Sequence, residues 1–409
     1  MVGMMKNSQV NDRKAIKRMF SHYKMEKALL NINKVFYIHD GILSITNLNT
    51  TLHLIGYFDQ KKGFYRTDSY IKADKFIPVK HQNFNFITNR LKESFTDENL
   101  DIIQRLDFKG ISNFCSKDNA RPILQNILFQ GSKKQICAAD GTIAFRNIGY
   151  TGKDFLLHYH DAIFIHNICL DLQTEIMNIN TWEDKKSKYN YVAFIMANGA
   201  EVITRFKKSD LDSFPAVEEV FPKTFKVKKL VTLKNVRPAA IELQKICDTY
   251  NREQKRKKSE SRRFVGVCKD LMFVHDTETK TRLVAKLKCS LTEKPMYLNG
   301  SLFSNILYLL SPNEPVIFEY TDNVLTPLQF TYKNTQFLLM RLRNSDGINI
   351  LLSSSEFTVQ EIHAVDANKK KKKAIEAVFP SYKKVLADSG AIDSLTAKKL
   401  YTYFKNQII

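Results

Sequence analysis

The stretch Arg121 to Phe145, RPILQNILFQGSKKQICAADGTIAF, decides how this chain is read. Its Ala139-Asp140-Gly141 either ends a strand in an active-site carboxylate or turns a corner between two strands that do no chemistry. A catalytic carboxylate needs a second acid, a histidine or a metal-ligand set nearby. None accompanies Asp140 in the sequence. Asp-Gly is also what a tight corner asks for, because glycine accepts positive φ and aspartate bonds its own backbone. The turn reading is therefore preferred, with strands over 123–130 and 135–145 and a turn at GSKK (131–134).

Working outward, a second Asp-Gly stands in a related place. Asp40-Gly41 separates KVFYIH from ILSITNLN, a hairpin signature that follows an amphipathic helix expected over 11–30. Asn11 or Asp12 caps that helix. Ile16, Met19, Phe20 and Tyr23 share one face, and Arg13, Lys14, Lys17 and Arg18 lie on the other. Residues 83–95 read as another amphipathic helix. Residues 107–120 read as the helix before the opening stretch, with Ile111, Phe114 and Cys115 on one face. After it come a strand over 156–165, a helix over 166–178, and strands over 191–199 and 200–210 turned by Asn198-Gly199. A third pass begins with a helix at 236–251 and strands at 263–270, 271–278 and 281–291. It closes with a helix at 300–310 and strands at 315–322 and 328–343. Helix, strands, helix, strands thus recurs three times, each time in roughly 110 residues.

Bulk properties narrow the function. A chain of 409 residues exceeds one ordinary core. Sixty-three basic and 42 acidic residues leave +21, which favours a polyanionic partner, nucleic acid before anionic membrane. No apolar run reaches the ~18 residues of a membrane span, and the N-terminal stretch has no signal-peptide core, so a cytoplasmic protein without a membrane partner is expected. The six cysteines show no Cys-x-x-Cys pair, the pattern of reduced, mostly buried thiols. Phosphate loops, paired-carboxylate motifs and His-x-x-x-His are absent from the sequence, so no cofactor is expected. His158 and His160 would share a strand face, with His166 beyond. A metal site and plain solvated or core histidines are the two readings of that group.

Several motifs, in order, resemble those of the bacterial DNA polymerase III beta subunit, the replicative sliding clamp. They are RPILQNILF followed by AADG, then FPAVEEVFP (Phe214 to Pro222), then FLLMRLR (Phe337 to Arg343). The resemblance covers roughly residues 10–343. It implies an α+β fold of three clamp domains, 1–103, 104–226 and 227–343, each with two helices backed by antiparallel sheet. A basic C-terminal extension, 344–409, follows. Two copies would close head to tail into a ring, helices lining the hole. The family's residues after Asp-Gly are here Thr142, Ile143 and Ala144, and its terminal Met-Pro-Met-Arg-Leu is Leu338 to Leu342. A divergent member, of host or phage origin, fits these departures.

The resemblance also implies partners: double-stranded DNA, a second copy, a replicative polymerase and a clamp loader. A partner peptide would enter a cleft between the second and third domains. Arg121, Leu124, Ala139, Gly141, Thr142, Ile143 and Ala144 would form one wall, Pro222 the floor, and Leu338, Leu339, Met340, Arg341 and Leu342 the other wall. DNA contacts are expected from Arg13, Lys14, Lys17 and Arg18, and from Lys24 and Lys27 after the first helix. Lys117 and Arg121 take the related place in the second unit. In the third, a loop at 251–263 carries seven basic and two acidic residues, the basic ones being Arg252, Lys255, Arg256, Lys257, Lys258, Arg262 and Arg263. In the extension, Lys369 to Lys373 form a lysine run and residues 394–409 suit a helix. The competing readings are a basic DNA-coating or scaffold protein that never encircles DNA, and a DNA-processing enzyme.

Overall fold

The computed structural model describes residues 35–39, 42–46, 49–55, 63–67, 76–79, 97–184, 187–234, 236–256, 264–276, 281–323, 325–342 and 358–361. The expected helices at 11–30 and 83–95, the Asp40-Gly41 corner and most of the extension lie outside them. The chain forms two compact units. Unit 1 takes the chain up to Lys228 together with Ile317–Asp322 and Thr326–Met340, and unit 2 takes the remainder.

Unit 1 begins with β1 (Val35–His39), β2 (Ile42–Thr46), β3 (Thr50–Ile55), β4 (Gly63–Thr67) and β5 (Phe76–Val79). β1 and β2 pair antiparallel with His39 opposite Ile42, the register that a two-residue connection sets. Next come helices α1 (Asp97–Gln104) and α2 (Phe108–Ile111), then β6 (Asn126–Gln130), β7 (Gln135–Ala139), β8 (Ile143–Ile148) and β9 (Phe155–His158). Helix α3 (Tyr159–Leu172) is followed by β10 (Ile176–Glu183), β11 (Tyr189–Met196), β12 (Glu201–Lys207) and the short α4 (Lys208–Asp212). One sheet runs β10-β11-β12-β3-β2-β1-β4-β5. Between β11 and β12, Gly199 takes φ +83° and Asn198 Oδ1 accepts from the Ala200 amide, as an Asn-Gly corner requires.

In the aromatic core of unit 1, Phe129 stacks on Phe155 at 4.2 Å, and Phe155 meets the Phe194 ring edge-on at 6.2 Å. Buried Asp161 of α3 is tied to this unit's other sheet, because Thr50 Oγ1 donates to its Oδ1 at 2.6 Å.

Unit 2 is entered along β13 (Val227–Thr232). Helix α5 (Val236–Arg256) follows, then β14 (Val265–Lys269), β15 (Leu271–Asp276), β16 (Thr281–Lys286) and β17 (Thr292–Leu298), then α6 (Gly300–Leu309). Asn299 caps α6, accepting from the Ser301 and Leu302 amides. The chain then supplies β18 (Pro315–Tyr320), β19 (Leu328–Tyr332) and β20 (Thr335–Leu339). The last two extend the second sheet of unit 1, which contains the run β19-β20-β8-β7-β6-β9. Unit 2's own sheet is β17-β14-β15-β16-β21, where β21 is Thr358–Glu361.

Several expectations change, the first being the helix over 107–120, which shrinks to Phe108–Ile111 and a 3-10 turn at Ser112–Phe114. Residues 159–165 are helical rather than strand, so α3 starts seven residues before the expected helix, and its expected last residues form the start of β10. Phe164, Ile165, Ile168 and Leu172 are buried at helical spacing, and His158 caps the helix by accepting from the His160 amide. The basic segment after 250 is not loop throughout, since α5 continues to Arg256. β17, with Pro295 inside it, was not expected as a strand. It lies at the sheet's edge, and its register to β14 shifts between the Met296 and Thr292 pairs, which is where proline is tolerated.

Candidate functional site

The opening stretch folds into a closed corner. Asp140 Oδ1 accepts from the Thr142 amide at 2.7 Å, the Thr142 hydroxyl at 2.8 Å and the Ile143 amide at 2.9 Å. Gly141 takes φ +96°, and a Cβ there would also stand 2.9 Å from Arg121 Nη1. Asp140 is a turn residue whose carboxylate is occupied by its own loop.

Around this corner unit 1 assembles much of the expected cleft. Arg121 Nη1 donates to the Asp140 carbonyl at 2.9 Å, and the Met340 amide donates to the Thr142 carbonyl at 2.8 Å. β7 pairs with β8, Ala139 opposite Ala144. β8 pairs with β20, Ile143 opposite Leu339 and Ala144 opposite Leu338. Phe114, Phe145 and Phe337 form a triangle beneath, each pair 5.7–5.8 Å apart. Ile143, Ala144, Leu338 and Leu339 are buried within the chain, whereas Arg121, Gly141, Thr142 and Met340 are exposed. Leu124 and Pro222 are half-buried. The remaining two expected residues belong to unit 2. Buried Arg341 places Nη1 3.7 Å from Met296 Sδ, and Leu342 donates its amide to the Tyr297 carbonyl while packing beside Phe273.

The FPAVEEVFP junction turns through a short 3-10 helix at Val217–Val220 that buries Val217. Glu218 accepts from Lys133 and from Gln135 Nε2. Burial pushes its carboxyl up, but these hydrogen bonds outweigh it and hold the pKa below the ordinary carboxylate value.

Among the expected DNA contacts, Lys117 is exposed but engaged. Its ammonium donates to the Ser112 carbonyl at 2.6 Å and sits 3.5 Å from the centroid of the Tyr159 ring. The residue as a whole is exposed, but desolvation of the ammonium against its neighbours lowers its pKa. Arg252 and Arg256 are exposed on the last turns of α5, and Lys255 lies between them. Arg13, Lys14, Lys17, Arg18, Lys24, Lys27, Lys257, Lys258, Arg262 and Arg263 lie outside the described residues. Tyr159, the platform beneath Lys117, was missed, because nothing in the sequence links it to Lys117.

The expected strand-face histidine pair does not exist. His158 is the cap of α3, while His166 Nδ1 stands 3.5 Å from Asp107 Oδ1 on α2's N-cap. Among the described residues no three His, Cys, Asp or Glu side chains are placed to hold a metal ion. None of the six cysteines is in a disulfide, and burial pushes the thiols of Cys115 and Cys137 up to about 12.

No family model and no curated protein matches the chain. Solved structures do. The DNA polymerase III beta subunit of Borrelia burgdorferi, in complex with a natural product, superposes with a TM-score of 0.61 at 12% identity, over 83% of this chain and 98% of that one. The beta subunit of Streptococcus pyogenes DNA polymerase gives 0.57 at 13%, over 81% and 98%. The Helicobacter pylori beta clamp bound to a DNA ligase peptide gives 0.53 at 13%, over 82% and 99%. The chain has the sliding-clamp fold. At these identities the likeness fixes architecture, mixed helix and antiparallel sheet, along nearly the whole length of each clamp. No helix among the described residues is long and apolar enough to cross a membrane.

Proposed function

We propose that this protein is a non-catalytic DNA sliding clamp, a processivity factor that closes with a second copy around duplex DNA and tethers a replicative polymerase delivered with a clamp loader. The observation that carries this reading is the fold match over 97–99% of the length of solved clamps. The net charge of +21 supports it, because a ring holding DNA by topology needs positive potential rather than base readout. In this reading the domains are 1–103, 104–226 and 227–343, the extension is 344–409, and the work is done in the cytoplasm without a cofactor.

Partner peptides dock where β8 begins and β20 ends. Arg121, Thr142 and Met340 form the exposed lip, and Leu124 and Pro222 border it. The Helicobacter pylori clamp, whose structure holds a DNA ligase peptide, is the precedent. Thr142-Ile143-Ala144 gives this lip a chemistry of its own, so a cognate polymerase peptide is preferred over a foreign one. Truncation of Met340 to alanine is expected to weaken that peptide by about 1–3 kcal/mol if it is an anchor, leaving DNA retention intact.

The deciding experiment loads the full chain on DNA with its loader. Retention on closed circles and loss on linearisation supports the clamp. Equal retention on both supports a DNA-coating protein and overturns encirclement. A metal-dependent change in the DNA itself supports an enzyme.

A further inference from the structure

The backbone bond that closes the lip occurs twice in unit 1. The Met340 amide donates to the Thr142 carbonyl at 2.8 Å, one pair beyond Leu339 opposite Ile143. The Arg205 amide donates to the Asn49 carbonyl at 3.2 Å, one pair beyond Thr204 opposite Thr50. The turns behind the two bonds are equal in length, since Ala139 pairs with Ala144 and Thr46 with Thr51. β3 and β12 thus build the corner of β8 and β20 a second time.

The chemistry differs. Thr46 and Thr51 stand where the first corner has Ala139 and Ala144, and the Thr51 hydroxyl donates to Thr46 Oγ1 at 2.9 Å. Arg205 stands where the first has Met340. Its Nε and Nη2 donate to Asn49 Oδ1 at 2.9 and 2.6 Å, and its guanidinium carbon lies 4.2 Å from the centroid of the Tyr189 ring. Lys188 Nζ stands 5.5 Å from the same ring. Lys207 is opposite Tyr189 and shares a sheet face with Arg205, because side chains alternate along a strand. Among the described residues no carboxylate pairs with Arg205, Lys188 or Lys207, and nearby Glu183 is held by Lys208 at 3.5 Å. A guanidinium fixed on one edge and open at Nη1 is suited to a carboxylate. On the same face Trp182 stacks on Tyr191 at 5.4 Å and packs with Ala193 and Ile203, and Tyr191 is directly opposite Arg205. Trp182 is the sole tryptophan of the chain, so its fluorescence reports on this corner.

We infer that the corner formed by Asn49, Arg205 and Tyr189 is a second docking lip, one that takes an acidic segment of a partner protein. Arg205 receives a carboxylate at its open edge, and Lys188 and Lys207 receive the neighbouring ones. An apolar segment finds no anchor there, since a cation holds the place of Met340. The inference rests on the clamp reading only in treating the first lip as a peptide site.

The test uses the full chain, with pentaglutamate blocked at both ends as the probe, Trp182 fluorescence as the signal and circular dichroism to report folding. A saturable change is expected that blocked pentaglutamine does not produce. Arg205→Gln should bind the probe about tenfold more weakly, the loss of a hydrogen bond between charged groups. The double variant Lys188→Gln, Lys207→Gln alters two exposed side chains and should bind about threefold more weakly. It carries the test if Arg205→Gln does not fold. No saturable change overturns the inference, as does parental affinity in either variant. Weaker binding in Met340→Ala places the probe on the first lip and overturns it as well. So does hexathymidylate, with five phosphates for the peptide's five carboxylates, if it binds as tightly as pentaglutamate, because the lip is then a nucleic-acid contact. Retention of the parent chain on circular DNA tests the clamp reading by itself, so the two can fail separately.

Discussion

Helix α3 of unit 1 contains two aspartates and neither lysine nor arginine, whereas α5 of unit 2 contains five basic and three acidic residues. α3 sits among aromatic rings, its Asp161 buried and bonded to Thr50. α5 buries Leu243 and Cys247 on one side and exposes Arg237, Lys245, Arg252 and Arg256 on another. One helix is a structural element and the other carries a surface. A positive potential in a clamp built from this chain cannot come evenly from every helix, and substitutions should separate the two roles.

The largest effect is expected at the core of α3. Phe164→Ala removes a ring that is 2% exposed and should lower stability by about 3–5 kcal/mol, read as a fall in the urea midpoint. A change below 1 kcal/mol would place α3 outside the core. Next comes Thr50→Val. It deprives the buried Asp161 of one donor and should cost about 1–3 kcal/mol in the same measurement. Asp140→Ala strips the corner of an acceptor that three donors share, a loss comparable to that of a helix cap, about 0.5–2 kcal/mol. The smallest effect on stability is expected on α5. Arg252→Gln with Arg256→Gln should stay within about 0.5 kcal/mol. If both arginines touch phosphates, the double variant flattens the log–log salt dependence of DNA binding by about 1.8. An unaltered slope removes these two from the DNA surface, and a large loss of stability makes α5 a core helix like α3.

What the sequence disclosed followed from local chemistry. Asp140-Gly141 and Asn198-Gly199 were legible because turn geometry is written in two or three residues. α6 was legible because its apolar spacing is regular. The start of α3 was not, since 156–165 is a short stretch of apolar residues broken by His158, His160 and Asp161, and such a stretch suits a strand or a buried helix equally. β17 was hidden by Pro295, which local rules exclude from a strand and an edge position admits. For the cleft, the motifs led to the right neighbourhood, and side-chain and backbone hydrogen bonds join Arg121, Asp140, Thr142 and Met340 there. Which of its members are exposed depends on packing between strands far apart in the chain, and no local pattern encodes that.

Strand β20 comes late to the place it fills. Asn147 Nδ2 donates to Thr335 Oγ1 across 188 residues of sequence, and β8 has no partner on that side until those residues exist. At roughly 5–20 residues per second of synthesis, unit 1 waits about 10–40 s on the ribosome with that edge open. The whole of α5, α6 and β14 to β17 emerges during the delay. A nascent chain of this kind has reason to be escorted, and slowing translation just before β20 would lengthen the interval in which it can go astray.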